Sequence, residues 1–568
     1  MDYTYLRNET MGYGNYMEGP YGKRLITYAD YTASGKSLRF LENYYLKLQE
    51  TYANTHTEDD YTGRLTTQLY KDAKAKIRQC VGANENYSVL PSGMGATGAI
   101  EKLSKILGIY MTPEFWRKRN EFIRKRFLDI NNLKAVILHD EAFRAERPVV
   151  FISSYEHHSN EVQWREGFAE VVKIGLDSNG LFDLNDLVEK VSDPRYKNRM
   201  KIGSFSAASN VTGLKTPVYE VARLMHKYDG YVFFDFATSG PYVDINMTKC
   251  KETYFDGIFL SMHKFLGGPG ASGLLILNKA LYCENNAPTT GGGGTVKYVT
   301  EDAHEYVVDQ EEREDAGTPG IMQVMRAAMV LELKDAVGVD NIEHIESEYI
   351  KRAFDELSGV DNLVILGNQD PNNRLAILSF NIKYKKGYLH HGFVTTLLND
   401  LFGIQSRAGC ACAGPYGIKL LDIDEERVEK YKEAIRAEIG PMKPGWTRVN
   451  FHYTLDEATF SYIIEAIRFI ANFGHQYLED YKVNCVDGRW VNKKSETVEN
   501  AKLSLKDALL LKRANLKTKN KNFKTQYTKY LKYAYKTRPG IACMTSRHEL
   551  YGNEAMSDIA WFYHAATE

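Results

Sequence analysis

The hydrophobic positions between residues 149 and 277 fall into short apolar runs that alternate with longer amphipathic stretches. The runs predict strands at 149–153, 171–174, 202–207, 231–234, 258–260 and 273–277, and the stretches predict helices at 161–169, 183–192 and 217–228. Strands that are apolar at nearly every position are typical of a sheet covered on both faces by helices. The pattern therefore predicts an α/β fold with a mostly parallel sheet.

The preceding segment predicts a short strand at 25–28 and helices at 38–50 and 64–80. A glycine-rich loop at 92–98 then runs directly into a helix that begins near Ala96. Such a loop presents free backbone N–H groups and the positive end of a helix, which suits a phosphate group.

The pattern changes after residue 320, where a long helix at 321–338 leads into a smaller α+β portion. We predict an N-terminal arm at 1–24, a large domain at 25–325, a small α+β domain at 326–494 and a basic helical extension at 495–568. A basic insertion at about 109–145 interrupts the large domain, and a solvated helix is its favoured interpretation. Residues 501–539 contain ten Lys and two Arg against one Asp, which gives about eleven excess positive charges.

The net charge and the cysteine content of the chain limit the kinds of function that can be expected. The formal net charge of −1 gives no whole-chain argument for a nucleic-acid or membrane partner. The seven cysteines are scattered except for Cys410 and Cys412, so a reducing, cytoplasmic setting is expected rather than a disulfide framework. No signal peptide and no membrane-spanning run is evident, and no metal site is predicted.

Polar side chains follow four of the predicted strands, at His157, Asn210, Asp235 and Lys264. The carboxyl ends of parallel strands meet at one edge of a sheet, so these groups are expected to form a single site. Lys264 has apolar and glycine neighbours, and desolvation there would lower its pKa and make it a nucleophilic amine. The alternative is a lysine that extends from a turn into solvent.

The remaining polar residues fit one cofactor. Asp235 ends an apolar strand, where a carboxylate is costly unless it is paired, and a protonated heterocycle nitrogen is one such partner. His157 could lie over a planar ring and Asn210 could donate to a ring oxygen. Three further side chains could hold a phosphate: Thr97, Ser261 and His263. Together with Lys264 as a Schiff-base amine, this set describes a pyridoxal phosphate pocket.

The ordered set resembles the class V aminotransferases of pyridoxal phosphate fold type I, and within them the group II cysteine desulfurase and selenocysteine lyase branch. The matching residues lie between about 25 and 475 in the family's order: Asn54, His56, Ala96-Thr97, Glu156-His157-His158, Asn160, 209–213, 235–237, 261–264, 291–294, 316–319, 407–413 and 446–448.

The resemblance implies roles residue by residue. Lys264 would be the Schiff-base lysine, Asp235 the pyridinium partner, His157 the stacked histidine and Asn210 the donor to the ring oxygen. The cofactor site would also include Ala96, Thr97, Ser261, His263 and Thr238, the last in place of the family's usual glutamine. Thr318 would contact the phosphate from a second subunit, which implies a homodimer. Arg448, just before a strand predicted at 450–454, would bind the substrate carboxylate, with Arg407, Asn210 and His56 nearby.

Cys412 bears on the reaction type. It follows Arg407 by five residues, which is the spacing of the family's persulfide-forming cysteine, and its loop is rich in Gly and Ala. The alternative is a buried structural cysteine. Cys410 is an additional thiol that could resolve a persulfide as a disulfide, or it could have no role.

The resemblance therefore implies an enzyme that takes sulfur or selenium from cysteine or selenocysteine and leaves alanine. Lys264 would move the α-proton, Cys412 would attack the sulfur, and His157 could act as acid or base. A sulfur-acceptor protein is a possible partner. One alternative is a class V aminotransferase or lyase acting on another amino acid, with Cys412 not catalytic. Another is a binding protein whose basic extension contacts a partner.

Overall fold

A computed structural model describes residues 2–55, 57–126, 145–409, 412–497, 522–540, 545–546 and 559–565. Its first sheet has seven strands in the spatial order Tyr87–Pro91, Gly273–Asn278, Gly257–Ser261, Gly230–Asp235, Lys201–Ser206, Val149–Ser153 and Glu170–Ile174. Gly273–Asn278 is antiparallel to both neighbours, and the other pairs are parallel. The predicted mostly parallel sheet is confirmed.

Successive side chains of these strands enter two different cores, as the period of two requires. Val149 and Phe151 belong to the larger core, whereas Val150 and Ile152 belong to the core on the opposite face. Helices Tyr61–Cys80, Val218–Lys227 and Ile321–Val337 cover the first face, and helix Ala96–Ile106 covers the second. Most strand positions other than those of the edge strand Glu170–Ile174 are buried, because helices cover both faces of the sheet.

A second sheet has the order Arg407–Gly409, Trp446–Asn450, Ile377–Tyr384, Gly387–Leu389, Phe562–Ala565 and Thr545–Ser546, with Leu363–Ile365 also paired to Ile377–Tyr384. Its core includes side chains of helices Val339–Leu357, His391–Phe402, Glu457–Phe473 and Lys524–Thr537. It builds the smaller α+β part.

One strand prediction near the site is wrong. The sequence placed Arg448 just before a strand at 450–454, but the strand is Trp446–Asn450 and Arg448 lies at its centre. At the end of this strand, the Asn450 N–H donates to the Ala29 oxygen and the Phe451 N–H donates to the Ala376 oxygen. The correction brings Arg448 opposite Arg407 on the neighbouring strand.

The described part of the N-terminal arm contributes to both cores: Leu6 is buried in the larger core of the first sheet, and Tyr13 and Tyr21 pack against the core of the second. The described part of the basic extension packs onto the second sheet's core. In helix Tyr3–Glu9, Arg7 donates to the backbone oxygens of Thr454 and Leu455. In helix Lys524–Thr537, the Tyr527 ring stacks on Tyr462, with centroids 4.2 Å apart. The four domain limits remain a prediction. Of the insertion, residues 109–126 and 145 are described, and they include the largely exposed helix Pro113–Arg126.

Shorter elements complete the described fold: helices Arg39–Gln49, Val162–Glu166, Leu184–Val191, Gln310–Arg313, Gly414–Leu420 and Glu425–Arg436, and strands Tyr16–Met17, Arg24–Leu25, Thr27–Tyr28, Val296–Val299, His304–Tyr306, Ile404–Gln405, Tyr481–Val483 and Trp490–Asn492. Within the described ranges, none of the helices combines the length and apolar character that a membrane crossing needs.

Candidate active site

Four neighbouring parallel strands bring polar groups to one edge of the first sheet. Asp235 ends Gly230–Asp235, and Lys264 follows Gly257–Ser261 in a single 3-10 turn. His157 and Asn210 come four residues after Val149–Ser153 and Lys201–Ser206. These groups interact electrostatically, since the charge of Lys264 lowers the pKa of His157 and that of Asp235.

Lys264 and Asp235 form the central charged pair. Burial lowers the pKa of Lys264 to about 8, and the Asp235 carboxylate opposes that shift. Asp235 is 5% exposed, and burial raises its pKa, while a hydrogen bond from the Ala237 N–H at 2.8 Å lowers it. Each group therefore favours the charged form of the other. A lysine with such a pKa has an appreciable neutral, nucleophilic fraction near neutral pH.

His157 is held as a neutral imidazole. Burial, followed by the charge of Lys264, lowers its pKa to about 4. Its Nδ1 accepts the Ser159 N–H at 3.2 Å, so the ring proton resides on Nε2. The Ser159 hydroxyl lies 2.7 Å from that of Thr97, which links the histidine to the start of helix Ala96–Ile106.

The start of helix Ala96–Ile106 forms an anion cradle with the segment that carries Lys264. The Ala96 N–H donates to the Ser261 hydroxyl oxygen at 2.9 Å, which leaves the hydroxyl proton free to donate elsewhere. A Cβ atom at Gly95 would lie 3.2 Å from Ser261 Oγ and 3.7 Å from His263 Nε2. The absence of that atom keeps the space open where helix end, hydroxyl and imidazole converge, an arrangement that fits a phosphate group.

The two predicted substrate arginines share one carboxylate. Arg448 Nη2 donates to Asp30 Oδ1 at 3.0 Å, and Arg407 Nε donates to Asp30 Oδ2 at 3.2 Å. Arg448 Nη1 also donates to the Asn210 backbone oxygen at 2.7 Å. This last contact joins the second sheet to the carboxyl edge of the first, so a guanidinium lies beside the Lys264 cluster.

Cys412 lies on an exposed loop and has a left-handed backbone with φ of 56°. Its backbone oxygen accepts the His158 N–H at 2.8 Å. Two residues later, the Gly414 N–H donates to His158 Nε2 at 2.9 Å. His158, which follows His157, thus contacts the loop on both sides of Ala413. The alternative of a buried structural cysteine is contradicted, because Cys412 is exposed. Cys410 lies outside the described residues.

Two predicted residues are not brought into this cluster by the described contacts. Thr318 is exposed and its hydroxyl accepts from the Asn54 side chain at 3.1 Å, so its role in a second subunit stays a prediction. His56 lies outside the described residues. Thr238 is buried three residues after Asp235.

Sequence reasoning gave no individual role to three contributors, Asp30, His158 and Ser159, although His158 is among the residues that match the family. Each stands one to four residues from a predicted strand or site residue, which was the available signal.

Comparisons with known proteins identify relatives of this chain. A family model described as aminotransferase class V matches residues 130–441, more than half of the chain. A probable cysteine desulfurase of Halalkalibacterium halodurans is 26% identical over 411 residues, covering 70% of this chain and 86% of the relative. A cysteine desulfurase of Escherichia coli strain K12 is 30% identical over 273 residues, which cover 47% of this chain and 62% of the relative.

Solved structures share the fold. A cysteine desulfurase from Thermococcus onnurineus superposes with a TM-score of 0.61 at 19% identity, covering 79% of this chain and 95% of that one. A cysteine desulfurase from Escherichia coli gives a TM-score of 0.59 at 20% identity, covering 82% of this chain and 98% of that one. At these identities the likeness concerns the fold alone.

Proposed function

This chain belongs to the class V aminotransferase family, and on that premise we propose that it is a pyridoxal-phosphate-dependent cysteine desulfurase. The substrate would be L-cysteine, or selenocysteine in the related reaction, and the products would be alanine and sulfur held as a persulfide on Cys412. The observation that carries the proposal is the exposed Cys412 loop bonded to His158, the neighbour of the histidine in the Lys264 cluster.

The residues present fit the cofactor. The cradle of Gly95, Ala96, Thr97, Ser261 and His263 suits its phosphate, and the buried Asp235 carboxylate suits a protonated ring nitrogen. Lys264 would hold the cofactor covalently, with His157 over the ring and Asn210 and Thr238 near the ring oxygen. When bound, pyridoxal phosphate supplies an electron sink for the α-carbon of an amino acid.

The chain's own residues would then orient the substrate and move its protons. Arg448 would bind the substrate carboxylate in a bidentate pair, which requires Asp30 to give up its contact with Nη2. Lys264 Nζ, with its lowered pKa, would accept the α-proton and return it. The Nε2–H of His157 would donate a hydrogen bond toward the cofactor ring region. Arg407 and His56 would complete the carboxylate side of the site.

The sulfur step balances without an external oxidant. The Cys412 sulfur attacks the substrate sulfur, the Cβ–S bond of the substrate breaks, and an S–S bond forms. The carbon skeleton gains a proton and leaves as alanine, while Cys412 keeps the transferred sulfur as a persulfide. The thiolate is the attacking form, and the exposure of Cys412 leaves its sulfur accessible to the substrate.

The test is a product assay on the full chain loaded with pyridoxal phosphate and given L-cysteine. Wild type should yield alanine and add the mass of one sulfur atom to the Cys412 peptide. K264A should lose both products, and C412S should lose the persulfide while keeping the cofactor spectrum. Keto acid without alanine, unaffected by C412S, would overturn the proposal in favour of an aminotransferase in which Cys412 is not catalytic.

We further propose that the enzyme works as a homodimer in the cytoplasm, passing sulfur to an acceptor protein. In the dimer, Thr318 of one subunit would contact the phosphate bound by the other. Sedimentation should show twice the mass of the chain, and T318A should weaken cofactor retention without dissociating the dimer. A monomer with full cofactor affinity would contradict this arrangement.

A further inference from the structure

His158 makes two contacts with the Cys412 loop. The proposed reaction gives a role to His157 but none to His158. Its backbone N–H donates to the Cys412 oxygen at 2.8 Å, and its Nε2 accepts the Gly414 N–H at 2.9 Å. Between them Ala413 is fully buried. Three successive residues are thereby fixed against the segment that carries His157, although Cys412 itself is exposed.

The contact with Gly414 requires one protonation state. An imidazole nitrogen can accept a hydrogen bond only when it carries no proton, so the proton of neutral His158 resides on Nδ1. In the imidazolium form, Nε2–H would face the Gly414 N–H, and two donors cannot bond to each other. The backbone contact with Cys412 does not titrate, so protonation removes one anchor of the two.

The surroundings favour the neutral form. Burial lowers the pKa of His158, and the charges of Lys443 and Arg165 lower it further, while Glu161 opposes them. Lys432 lines the same apolar groove of about 200 Å³ as the His158 ring, and His157 has its ring centroid 6.3 Å away. Glu161 is the strongest of these charges, so burial is the main reason that the imidazole stays neutral.

We propose that His158 is a positioning residue for Cys412: as a neutral imidazole it holds the loop so that the thiol is presented to the substrate sulfur, and its protonation loosens that hold. The proposal rests on the proposed function, in which Cys412 accepts the sulfur. His158 touches neither substrate nor cofactor in this role, so it should govern turnover rather than substrate binding.

Two variants of the cofactor-loaded full chain separate this role from simple packing. H158F keeps a ring in the apolar groove but has no acceptor for Gly414. H158Q has an amide oxygen near the position of Nε2 and does not titrate. Each is compared with wild type for amide exchange of the 412–421 peptide, and for kcat and KM of alanine formation between about pH 5 and 8, the range in which histidines titrate.

H158F should exchange faster at Gly414 and should show a kcat about tenfold lower, the size expected for one lost hydrogen bond, with KM and cofactor absorbance unchanged. H158Q should retain the exchange protection and kcat of wild type, and should lose the part of the acidic fall in kcat that His158 causes. Equal loss of kcat in both variants, or unchanged exchange in H158F, would overturn the proposal.

The exchange measurement needs no turnover, which separates this proposal from the proposed function. If wild type forms no persulfide on Cys412, the proposed function fails. In that case, faster exchange at Gly414 in H158F but not in H158Q still supports the loop anchor, and equal exchange in all three proteins still overturns it.

Discussion

Arg448 donates to Asp30 at 3.0 Å, so the arginine predicted to bind the substrate carboxylate is already paired with a carboxylate of its own chain. Both side chains are largely shielded from solvent, with 4% and 14% exposed. Asp30 also pairs with Arg407. The substrate must therefore compete with Asp30, and the strength of this pair enters the apparent affinity for substrate.

Removing the charge of Asp30 should ease that competition. We expect D30N to lower the KM for cysteine by roughly fivefold, within the range that a charged hydrogen bond contributes, with a smaller change in kcat. Steady-state kinetics on the cofactor-loaded protein would measure this. D60N, in which the exposed cap of helix Tyr61–Cys80 is changed, is a suitable control. A higher KM in D30N would mean that Asp30 orients Arg448 rather than competing with the substrate.

The lowered pKa of Lys264 predicts a pH dependence in the cofactor-free protein. The amine reacts only when neutral, so its rate of acylation should rise as the pH increases through about 8, instead of near the ordinary value of 10.5. Because the Asp235 charge raises the pKa of Lys264, D235N should move the midpoint to lower pH. Competitive labelling followed by mass spectrometry would give both midpoints. A midpoint near 10 in both proteins would contradict the burial of this amine.

The hydrogen bonds of Glu156 predict that replacing its carboxylate by an amide, usually a mild substitution, destabilises the protein. The Glu156 carboxylate accepts from the backbone N–H and hydroxyl of Ser153 and of Ser206, and from the Asn160 amide. An amide at this position would direct its own N–H groups at some of these donors. E156Q should lower the free energy of unfolding by about 2–3 kcal/mol, measured by urea denaturation. The exposed E166Q is the control, and equal stability of the two variants would refute the prediction.

The packing of Tyr527 predicts that the basic extension stabilises the smaller α+β part, which contains the second sheet. Tyr527 is 5% exposed, stacks on Tyr462 and lies within hydrogen-bonding distance of Thr459. Y527A should destabilise the protein by about 3–5 kcal/mol, as expected for removing a buried aromatic ring. T525A on the exposed side of the same helix should have little effect. Loss of partner binding without loss of stability in Y527A would instead favour a separate binding extension.

The sequence predicted those features that depend on local pattern. The doubly covered strands and the polar groups at their carboxyl ends follow from runs of apolar residues that end in a polar one, as at Asp235. The fold class and the helix that begins at Ala96 also depend on local pattern, and both predictions are confirmed.

What the sequence did not predict depends on contacts between distant segments. Asp30 meets Arg448 across 418 residues, and His158 meets Gly414 across 256. The position of Arg448 within its strand was missed because every residue of Trp446–Asn450 is buried. The sequence there has no alternation of polar and apolar residues that would show where the strand begins and ends. The strand Phe562–Ala565 was missed because residues 495–568 were taken together as one basic helical extension.

That last strand has a consequence for synthesis of the chain. It pairs in parallel with Gly387–Leu389, so Leu389 lies opposite Tyr563. A ribosome must add more than 170 residues after Leu389 before Tyr563 exists. Until then Gly387–Leu389 presents an open sheet edge, which is a template for unwanted pairing. The nascent chain therefore has a prolonged aggregation-sensitive interval, in which a chaperone that shields strand edges would raise the yield of folded protein.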